Sequence, residues 1–426
     1  KPNLNEVLKD AGRGSSSGRR QQFIRNALVV TEVAMSMVLL IGAGLMIRSV
    51  IRLQQVDPGF NPSNARTVSI ALPKRKYPEK EQQAAFYSQL IERAASLPGV
   101  QAAGAACAVP FSDGLWGNFE EGFKSLNQGF KIEGRAPYQA GQEPRSNYSS
   151  VSPDYFKAIG IPLLRGRHFT ERDTNGAARV AIINNTMAEE YFPDEDPIGK
   201  RIQLNGGLTN GDEVYREIVG VVGDVKPHRL DQPIPAQIYE PYQQQPFPFM
   251  TLVLRIDGDP AGLNEAIRKE ILKLDRELPV VSIFMLDRLV SASTDWQQSL
   301  GTLFGIFAAV AVGLAAVGLY GVMSYAVERR TQEIGIRMAL GARRPDVLVL
   351  ILRDGARLTL CGVAIGLLAA WAVARLLINQ LYAVGAADPL TFIGVSLLLL
   401  GVALLACYLP ARRATKVDLL VALKYE

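Results

Sequence analysis

The sequence predicts a membrane protein with two parts: an α-helical membrane domain of four transmembrane helices, and an α+β domain of two lobes outside the membrane. Four apolar runs predict the helices, and they lie at residues 27–47, 300–327, roughly 358–374 and roughly 389–409. A helix of about 20 apolar residues crosses the hydrocarbon layer of a bilayer, and four such runs are not typical of the buried helices of a soluble protein. Strand and helix patterns at both ends of the stretch 49–297 predict the second part.

The first apolar run is predicted to be an anchor, not a cleaved signal peptide. It follows the polar residues 1–26, is longer than the apolar region of most signal peptides, and ends at Arg48 without a small-residue cleavage site. We therefore predict a first transmembrane helix over residues 27–48. Within residues 27–47 the only ionisable group is Glu32. A carboxylate inside a membrane is often functional, but this one is close enough to the cytoplasmic end that we expect it to reach water.

Basic residues beside the apolar runs predict the orientation of the chain. They cluster before the first run, between the second and third, and after the fourth: Arg13, Arg19, Arg20 and Arg25; Arg329, Arg330, Arg337, Arg343 and Arg344; Arg412, Arg413, Lys416 and Lys424. Cytoplasmic loops carry an excess of Lys and Arg, and the short loop "NQLYAVGAADP" between the third and fourth runs has neither. The segments 1–26, 328–346 and 411–426 are therefore predicted to be cytoplasmic, and 49–297 lies on the other side.

The exported stretch 49–297 shows two β-α-β patterns, one at each end. The first comprises a strand at 66–72, a helix ending before Pro98-Gly99 and a second strand, and the last comprises a strand at 251–257, a helix and the strand "VVSIFML". We expect one lobe from residues 64–108 and 250–290, and a second lobe, 110–245, inserted between its halves. Residues 243–249, "QQQPFPF", are predicted to be the linker that returns to the first lobe.

Enzyme and metal chemistry find little support in the sequence. His168 and His228 are the two histidines, and neither has a Cys or carboxylate at the spacing of a metal site. The acidic stretch 192–199, "FPDEDPIG", lacks the spacing of a calcium-binding EF-hand loop, so an exposed turn is the better interpretation. The sequence "PIGKR" is not a complete phosphate-binding loop, because it lacks the upstream Gly and the following Ser or Thr. We predict no catalytic residues, no metal and no nucleic-acid partner, and we assign no substrate-binding residues.

The segment 328–346 carries the strongest functional signal. Ile334, Met338 and Leu340 can cover one side of a short helix that Gly341 ends and Pro345 follows. Such a helix can insert into a groove on a partner protein. A solvated loop that only follows the positive-inside rule is the alternative.

The residues of this segment, "EIGIRMALGARRPDV", closely resemble the cytoplasmic coupling segment of MacB-type, or FtsX-like, ABC transporter permeases. "PARRATKVDLLVALKYE" resembles the C-terminal signature of the family, and "VSPDYFKAIGIPLLRGRHFTERD" and "IVGVVGDVK" resemble its periplasmic core domain. The resemblance implies a bacterial inner-membrane permease with a MacB-like periplasmic core domain. Its porter and sabre lobes are then the two lobes above, and residues 298–410 are its FtsX-like permease domain.

The resemblance also implies how such a protein acts. Motion of a separate cytoplasmic ATPase, which binds ATP-Mg, passes through the coupling segment to the periplasmic domain for efflux or extraction of a substrate. The ATPase-docking residues are then Glu333, Ile334, Gly335, Ile336, Arg337, Leu340, Gly341 and Ala342. Other implied partners are a second permease module, membrane lipid and a periplasmic adaptor. The alternatives are a scaffold that activates a periplasmic cell-wall hydrolase, or an orphan permease without a dedicated ATPase.

The two ends of the chain resemble each other. Leu4, Leu8 and Lys9 match Leu419, Leu423 and Lys424 at one common offset, and position 1 is Lys. This pattern resembles the tandem permeases common in acidobacteria. We therefore expect the chain to be the second half of a duplicated permease.

Overall fold

The structure is a computed structural model that describes residues 4–112, 126–136, 138–139, 142–205, 214–258, 262–278, 280–329, 344–376, 382–385 and 387–414. The helices of these residues are α1 (Leu4–Gln54), α2 (Lys80–Ala95), α3 (Tyr155–Ile159), α4 (Asn185–Tyr191), α5 (Leu263–Leu274), α6 (Leu286–Ala292), α7 (Asp295–Arg329), α8 (Arg344–Leu376) and α9 (Pro389–Ala414). The strands are β1 (Ala65–Ala71), β2 (Val100–Ala106), β3 (Asn127–Ile132), β4 (Arg145–Val151), β5 (Leu163–Gly166), β6 (Val180–Asn184), β7 (Arg201–Asn205), β8 (Tyr215–Val222), β9 (Gln237–Pro241), β10 (Phe249–Ile256) and β11 (Val280–Met285). The chain divides into two compact units, which are described in turn: 1–55 with 295–426, and 56–294.

The described residues of the first unit form four helices that are long and apolar enough to cross a membrane, at Phe23–Gln54, Asp295–Glu328, Leu348–Leu376 and Pro389–Arg413. They confirm the four predicted transmembrane helices. The third helix begins well before its apolar run, because α8 starts at Arg344 and has Pro345 in its first turn, where proline is well tolerated.

The four membrane helices form a closed ring. Helix α1 packs along α7 on one side and along α8 on the other, and α9 completes the ring by packing on both α7 and α8. The interior is apolar and includes Val33, Met37 and Ile41 of α1 with Leu319 and Met323 of α7. Helix α1 contacts the other three helices, and its contacts within the ring are more extensive than those of any other helix, so it is the most tightly packed element of this unit.

The first lobe of the second unit is a sheet in the order β11-β1-β10-β2. Strand β10 lies between β1 and β2 and antiparallel to both, and β1 lies between β10 and β11. The two predicted β-α-β units are therefore interleaved, as expected for a split α+β arrangement. Their helices bury Phe86 and Leu90 of α2 and Ile267 and Ile271 of α5, residues spaced three or four apart so that they share one helix face.

The opposite face of this sheet carries α3. Ala103 and Ala105 of β2 point into the core shared with α2, so Gly104 points the other way. A methyl group at Gly104 would lie 2.5 Å from the Cα atom of Tyr155 in α3. Glycine is needed here because a side chain would push this helix off the sheet.

The inserted lobe continues the same sheet through the order β4-β3-β7-β8-β6-β9, and β5 pairs with β8. The two lobes join where Ala106 of β2 pairs with Val151 of β4. Strand β6 is parallel to β8, and α4 directly follows β6 in the chain. Asn184 caps α4 by accepting a hydrogen bond from the Met187 N–H. Ile182, Ile183 and Val221 are fully buried between these elements.

Candidate functional site

The predicted ATPase-docking residues, Glu333 to Ala342, lie within residues 330–343 and so outside the described residues. What the structure describes is the set of helices that hold this segment. Helix α7 ends at Arg329 and α8 begins at Arg344, so the segment joins two helices of the ring. The candidate site is therefore built from the contacts that fix α7 and α8 relative to α1 and α9.

Helices α1 and α7 pack antiparallel along their length. Near one end, the guanidinium carbon of Arg25 lies 4.4 Å from the ring centre of Tyr325, a cation–π contact. Near the other end, Gly301 faces Met46, whose Cβ would be 3.8 Å from a methyl group at that glycine. A displacement of α7 along its axis must therefore disturb contacts at both ends of α1.

Between these contacts, Gly318 of α7 faces Glu32 of α1. A methyl group at Gly318 would lie 2.3 Å from Glu32 Oε2. This oxygen is buried and has no hydrogen-bond partner among the described residues. The expectation that the carboxylate reaches water is wrong for Oε2, because the neighbouring helix comes close enough at a glycine to cover it.

Helices α1 and α8 pack parallel at two glycines. A methyl group at Gly362 would lie 2.8 Å from Val33 Cβ, and one at Gly366 would lie 2.6 Å from Met37 Cβ. The small-x-x-x-small pattern of α8 therefore lets two helices of the same chain approach closely. The similar pattern of α7 differs, because Gly305 has no atom within 4 Å of an added methyl group among the described residues.

Helix α9 closes the ring at the cytoplasmic end. Arg413 Nη1 donates a hydrogen bond of 2.7 Å to the Tyr320 hydroxyl of α7. One face of α9 reaches α8 at Gly355, where a methyl group would lie 2.4 Å from Cys407 Sγ. The two helices that residues 330–343 connect are thus held to the fourth helix as well as to the first.

A polar cluster joins α1 to α9 at the outer end. Arg48 of α1 forms an ion pair with Asp388, which also accepts hydrogen bonds from the Thr391 N–H at 3.0 Å and the Thr391 hydroxyl at 2.7 Å. Burial acts to raise the pKa of Asp388, but these hydrogen bonds outweigh it and leave the pKa below its ordinary value. Ser49 Oγ accepts a hydrogen bond from the Tyr382 N–H at 2.8 Å. Sequence reasoning missed this cluster, although Asp388-Pro389 is an N-cap followed by a first-turn proline.

In the second unit, the segment that follows α1, residues 57–64, is bound on several sides. We call it the linker segment. Arg255 of β10 donates to the carbonyls of Ser63 at 2.5 Å, Asn61 at 2.9 Å and Ala158 at 3.0 Å. Burial lowers the pKa of this guanidinium from its ordinary value, and its charge is shared among three carbonyl dipoles. Arg255 therefore ties the linker segment to the first lobe.

The inserted lobe holds the other end of the linker segment. The Lys226 N–H donates to the Pro58 carbonyl at 3.0 Å. Gly59 has a φ of +83°, and a methyl group there would lie 1.8 Å from the Asp224 carbonyl oxygen. Only glycine combines this backbone conformation with so close an approach. Both lobes are thus attached to the chain directly after the first membrane helix, a feature that no local sequence pattern signalled.

The remaining candidate groups have structural partners. Glu195 of the acidic turn accepts from Lys200 at 2.5 Å and Arg135 at 2.9 Å. His168 stacks on Phe156 with ring centres 5.7 Å apart, and burial lowers its pKa. His228 Nε2 lies 3.3 Å from the Asn147 amide. Within the described ranges, no three His, Cys, Asp or Glu residues are grouped to hold a metal ion.

Known protein families match residues of both units. Residues 33–270 match the MacB-like periplasmic core domain, and residues 305–419 match the FtsX-like permease C-terminal domain. A relative from Pseudomonas syringae pv. tomato, the pyoverdine export ATP-binding/permease protein PvdT, is 28% identical over 296 residues, covering 69% of this chain and 45% of the relative. The uncharacterized ABC transporter permease YvrN of Bacillus subtilis is 25% identical over 319 residues, covering 71% of this chain and 76% of YvrN.

The macrolide export ATP-binding/permease protein MacB of Bdellovibrio bacteriovorus is 26% identical over 293 residues, covering 65% of this chain and 43% of the relative. The chain thus spans less than half the length of the two relatives whose names include ATP binding.

Proposed function

The chain belongs to the FtsX-like ABC transporter permeases with a MacB-like periplasmic core domain, multi-pass proteins of the inner membrane, and we propose that it transmits ATP-driven motion. In this proposal a separate cytoplasmic ATPase, which binds ATP-Mg, moves the coupling segment, and the membrane helices pass the motion to the periplasmic domain. The work done there is efflux or extraction of a substrate.

The observation that carries the proposal is the closed ring of four helices, in which α1 packs against both α7 and α8. The coupling segment joins α7 and α8, and both of these helices pack closely on α1. Close-packed helices move as rigid bodies or switch between discrete packings. A push on the coupling segment is therefore passed to α1, and α1 leads directly into the linker segment that both periplasmic lobes hold.

The docking surface in this proposal is formed by Glu333, Ile334, Gly335, Ile336, Arg337, Leu340, Gly341 and Ala342. A second permease module and a periplasmic adaptor are further proposed partners. The exported unit 56–294 carries two lobes on one sheet, and its size favours transport over hydrolase activation. The intact sequence "EIGIRMALGA" argues against an orphan permease.

The test is a detergent pull-down of the full-length protein from its native membrane. We expect an ABC ATPase subunit to co-purify with the wild type and to be lost from a variant carrying Ile336→Asp and Leu340→Asp. Leu272→Asp is the matched control, since this leucine of the exported unit is 39% exposed and far along the chain from the coupling segment. It should retain the ATPase.

Three results would contradict the proposal. Absence of any nucleotide-binding partner from the wild type favours the orphan permease, and a cell-wall hydrolase in place of a transport partner favours the scaffold. Retention of the ATPase by the double variant would mean that the coupling segment does not form the docking surface.

A further inference from the structure

Helix α8 exposes a continuous stripe that begins with two arginines and continues with apolar residues. Its members are Arg353, Arg357, Leu360, Ala364 and Leu368. At 3.6 residues per turn these positions share one helix face. The opposite face carries Gly355, Gly362 and Gly366, which pack on α9 and α1. The stripe thus faces away from the helix ring, and Leu360 and Leu368 are 53% and 72% exposed.

The packing of α8 on α1 fixes the depth of the two arginines in the bilayer. Val33 lies against Gly362 and Met37 against Gly366, so Arg357 lies level with Leu28. Leu28 precedes Arg48, in the polar cluster at the outer end, by about 20 residues, which is about 30 Å of helix and the thickness of the hydrocarbon layer. Arg357 therefore lies at the cytoplasmic boundary of that layer. Arg353 lies about one turn, or about 6 Å, closer to the cytoplasm, among the lipid headgroups.

The local charge at this depth is unbalanced. Asp354 lies 3.9 Å from Arg357, and Arg353 has no ion pair among the described residues. The next acid on this face, Asp346, is about two turns or about 10 Å further into the cytoplasm. Like charges four residues apart on a helix repel each other, and an anion placed between them relieves that repulsion. Guanidinium groups bind phosphate oxygens in a bidentate manner, which a lysine cannot do.

We propose that Arg353 and Arg357 bind the phosphate of an anionic phospholipid of the cytoplasmic leaflet. One acyl chain of this lipid lies along Leu360, Ala364 and Leu368. The net positive charge selects an anionic lipid over a zwitterionic one. The lipid occupies α8 next to the coupling segment, so it stabilises the helix end that receives motion from the cytoplasm. The site rests on the membrane placement of α8 and does not depend on the proposed ATPase.

The test is native mass spectrometry of the full-length protein in detergent with added phosphatidylglycerol or phosphatidylcholine. We expect the wild type to retain phosphatidylglycerol in preference to phosphatidylcholine. The variant that carries both Arg353→Gln and Arg357→Gln should bind phosphatidylglycerol about 30-fold more weakly. Each arginine near the membrane surface strengthens binding of an anionic lipid by a factor of about five. The matched control is Arg375→Gln at the other end of the same helix, where the guanidinium lies 4.1 Å from the Trp371 ring centre. It should bind like the wild type.

Three outcomes overturn the proposal: equal retention of the two lipids by the wild type, unchanged binding by the glutamine variant, and displacement of the lipid by inorganic phosphate. The last would assign the arginines to soluble phosphate. If the glutamine variant does not fold, Leu360→Trp in the otherwise unchanged protein gives a second test. Brominated phosphatidylglycerol in vesicles should quench this tryptophan more strongly than brominated phosphatidylcholine, and equal quenching overturns the proposal. Neither result bears on ATPase co-purification.

Discussion

At the scale of single residues, Arg255 shows how one side chain connects parts that are distant in sequence. It lies on a strand of the first lobe, and its three donors reach two carbonyls of the linker segment and one carbonyl at the end of α3. All three acceptors are backbone carbonyls, which would otherwise be left without these donors. The linker segment directly follows the first membrane helix in the chain. Arg255 therefore fixes the part of the exported unit that comes next to that helix in the sequence.

Arg255→Ala should loosen the linker segment without unfolding the exported unit. Charge-assisted hydrogen bonds contribute more than neutral ones, and their partial exposure reduces the loss to about 2 kcal/mol, or about 30-fold in the opening equilibrium. The measurement is amide hydrogen exchange of the full chain in detergent. Exchange should rise at the Asn61 N–H, which donates to the Ile159 carbonyl at 3.1 Å.

Arg268→Ala is the control for this change, because Arg268 is an exposed residue of α5 in the same unit. It should leave exchange at Asn61 as in the wild type. Equal exchange in the wild type and the Arg255 variant would mean that the linker segment is held by its other contacts alone.

At the scale of elements, glycines decide how the membrane helices pair. The hydrophobic runs by themselves require only that a helix be apolar, and they do not select a neighbour. Helix α8 approaches α1 closely because Gly362 and Gly366 have no side chains, whereas Gly305 of α7 faces open space among the described residues. The same motif therefore has different consequences in two helices of one chain.

Gly366→Ala and Gly305→Ala should differ in stability for this reason. At Gly366 the new methyl group must displace Met37 and the nearby backbone of Ala34, which lies 3.1 Å away at Cα. Overpacking of this kind costs about 1–3 kcal/mol. At Gly305 the methyl group meets nothing within 4 Å, and the higher helix propensity of alanine makes the change neutral or slightly stabilising.

The measurement is the midpoint of thermal unfolding of the full chain in detergent. Samples are heated to a series of temperatures, and size-exclusion chromatography then measures the fraction of folded protein that remains in each. The Gly366 variant should unfold at a lower temperature than the wild type, and the Gly305 variant at the same or a higher one. Equal midpoints for the two variants would mean that α8 shifts away from α1 at little energetic cost.

At the scale of the whole molecule, the architecture was predictable from the sequence and the connections within it were not. The transmembrane helices follow from apolar length alone, and the β-α-β units follow from residue spacing, so both were predicted close to their observed positions. The Arg48–Asp388 pair and the contacts of Arg255 join residues far apart in the chain. Local patterns carry no information on such pairs. The spacing of Gly362 and Gly366 suits both pairing of two modules and packing within one chain, and the structure shows packing within the chain.

The orientation of the chain is also a property of the whole molecule, and cysteine labelling tests it. Three single substitutions place a thiol at exposed positions: Arg172→Cys in the exported unit, Leu368→Cys on the outward face of α8, and Glu328→Cys near the end of α7. The native Cys107 and Cys407 are buried, and Cys361 lies within a membrane helix, so a water-soluble, membrane-impermeant maleimide should label the wild type weakly. The labelling pattern of the variants then reports the side of the membrane for each position.

We expect Arg172→Cys to be labelled in intact spheroplasts, and Glu328→Cys to be labelled only after the membrane is permeabilised. Leu368→Cys should resist the reagent under both conditions, because the hydrocarbon layer excludes a charged maleimide. The basic residues predict this orientation through the positive-inside rule. The contact of Arg413 with Tyr320 joins the end of α9 to the half of α7 that leads to Glu328. Labelling of Glu328→Cys in intact spheroplasts would mean that the membrane unit has the opposite orientation. The coupling segment would then lie on the side of the membrane that has no ATP, and the proposed function would fail with it.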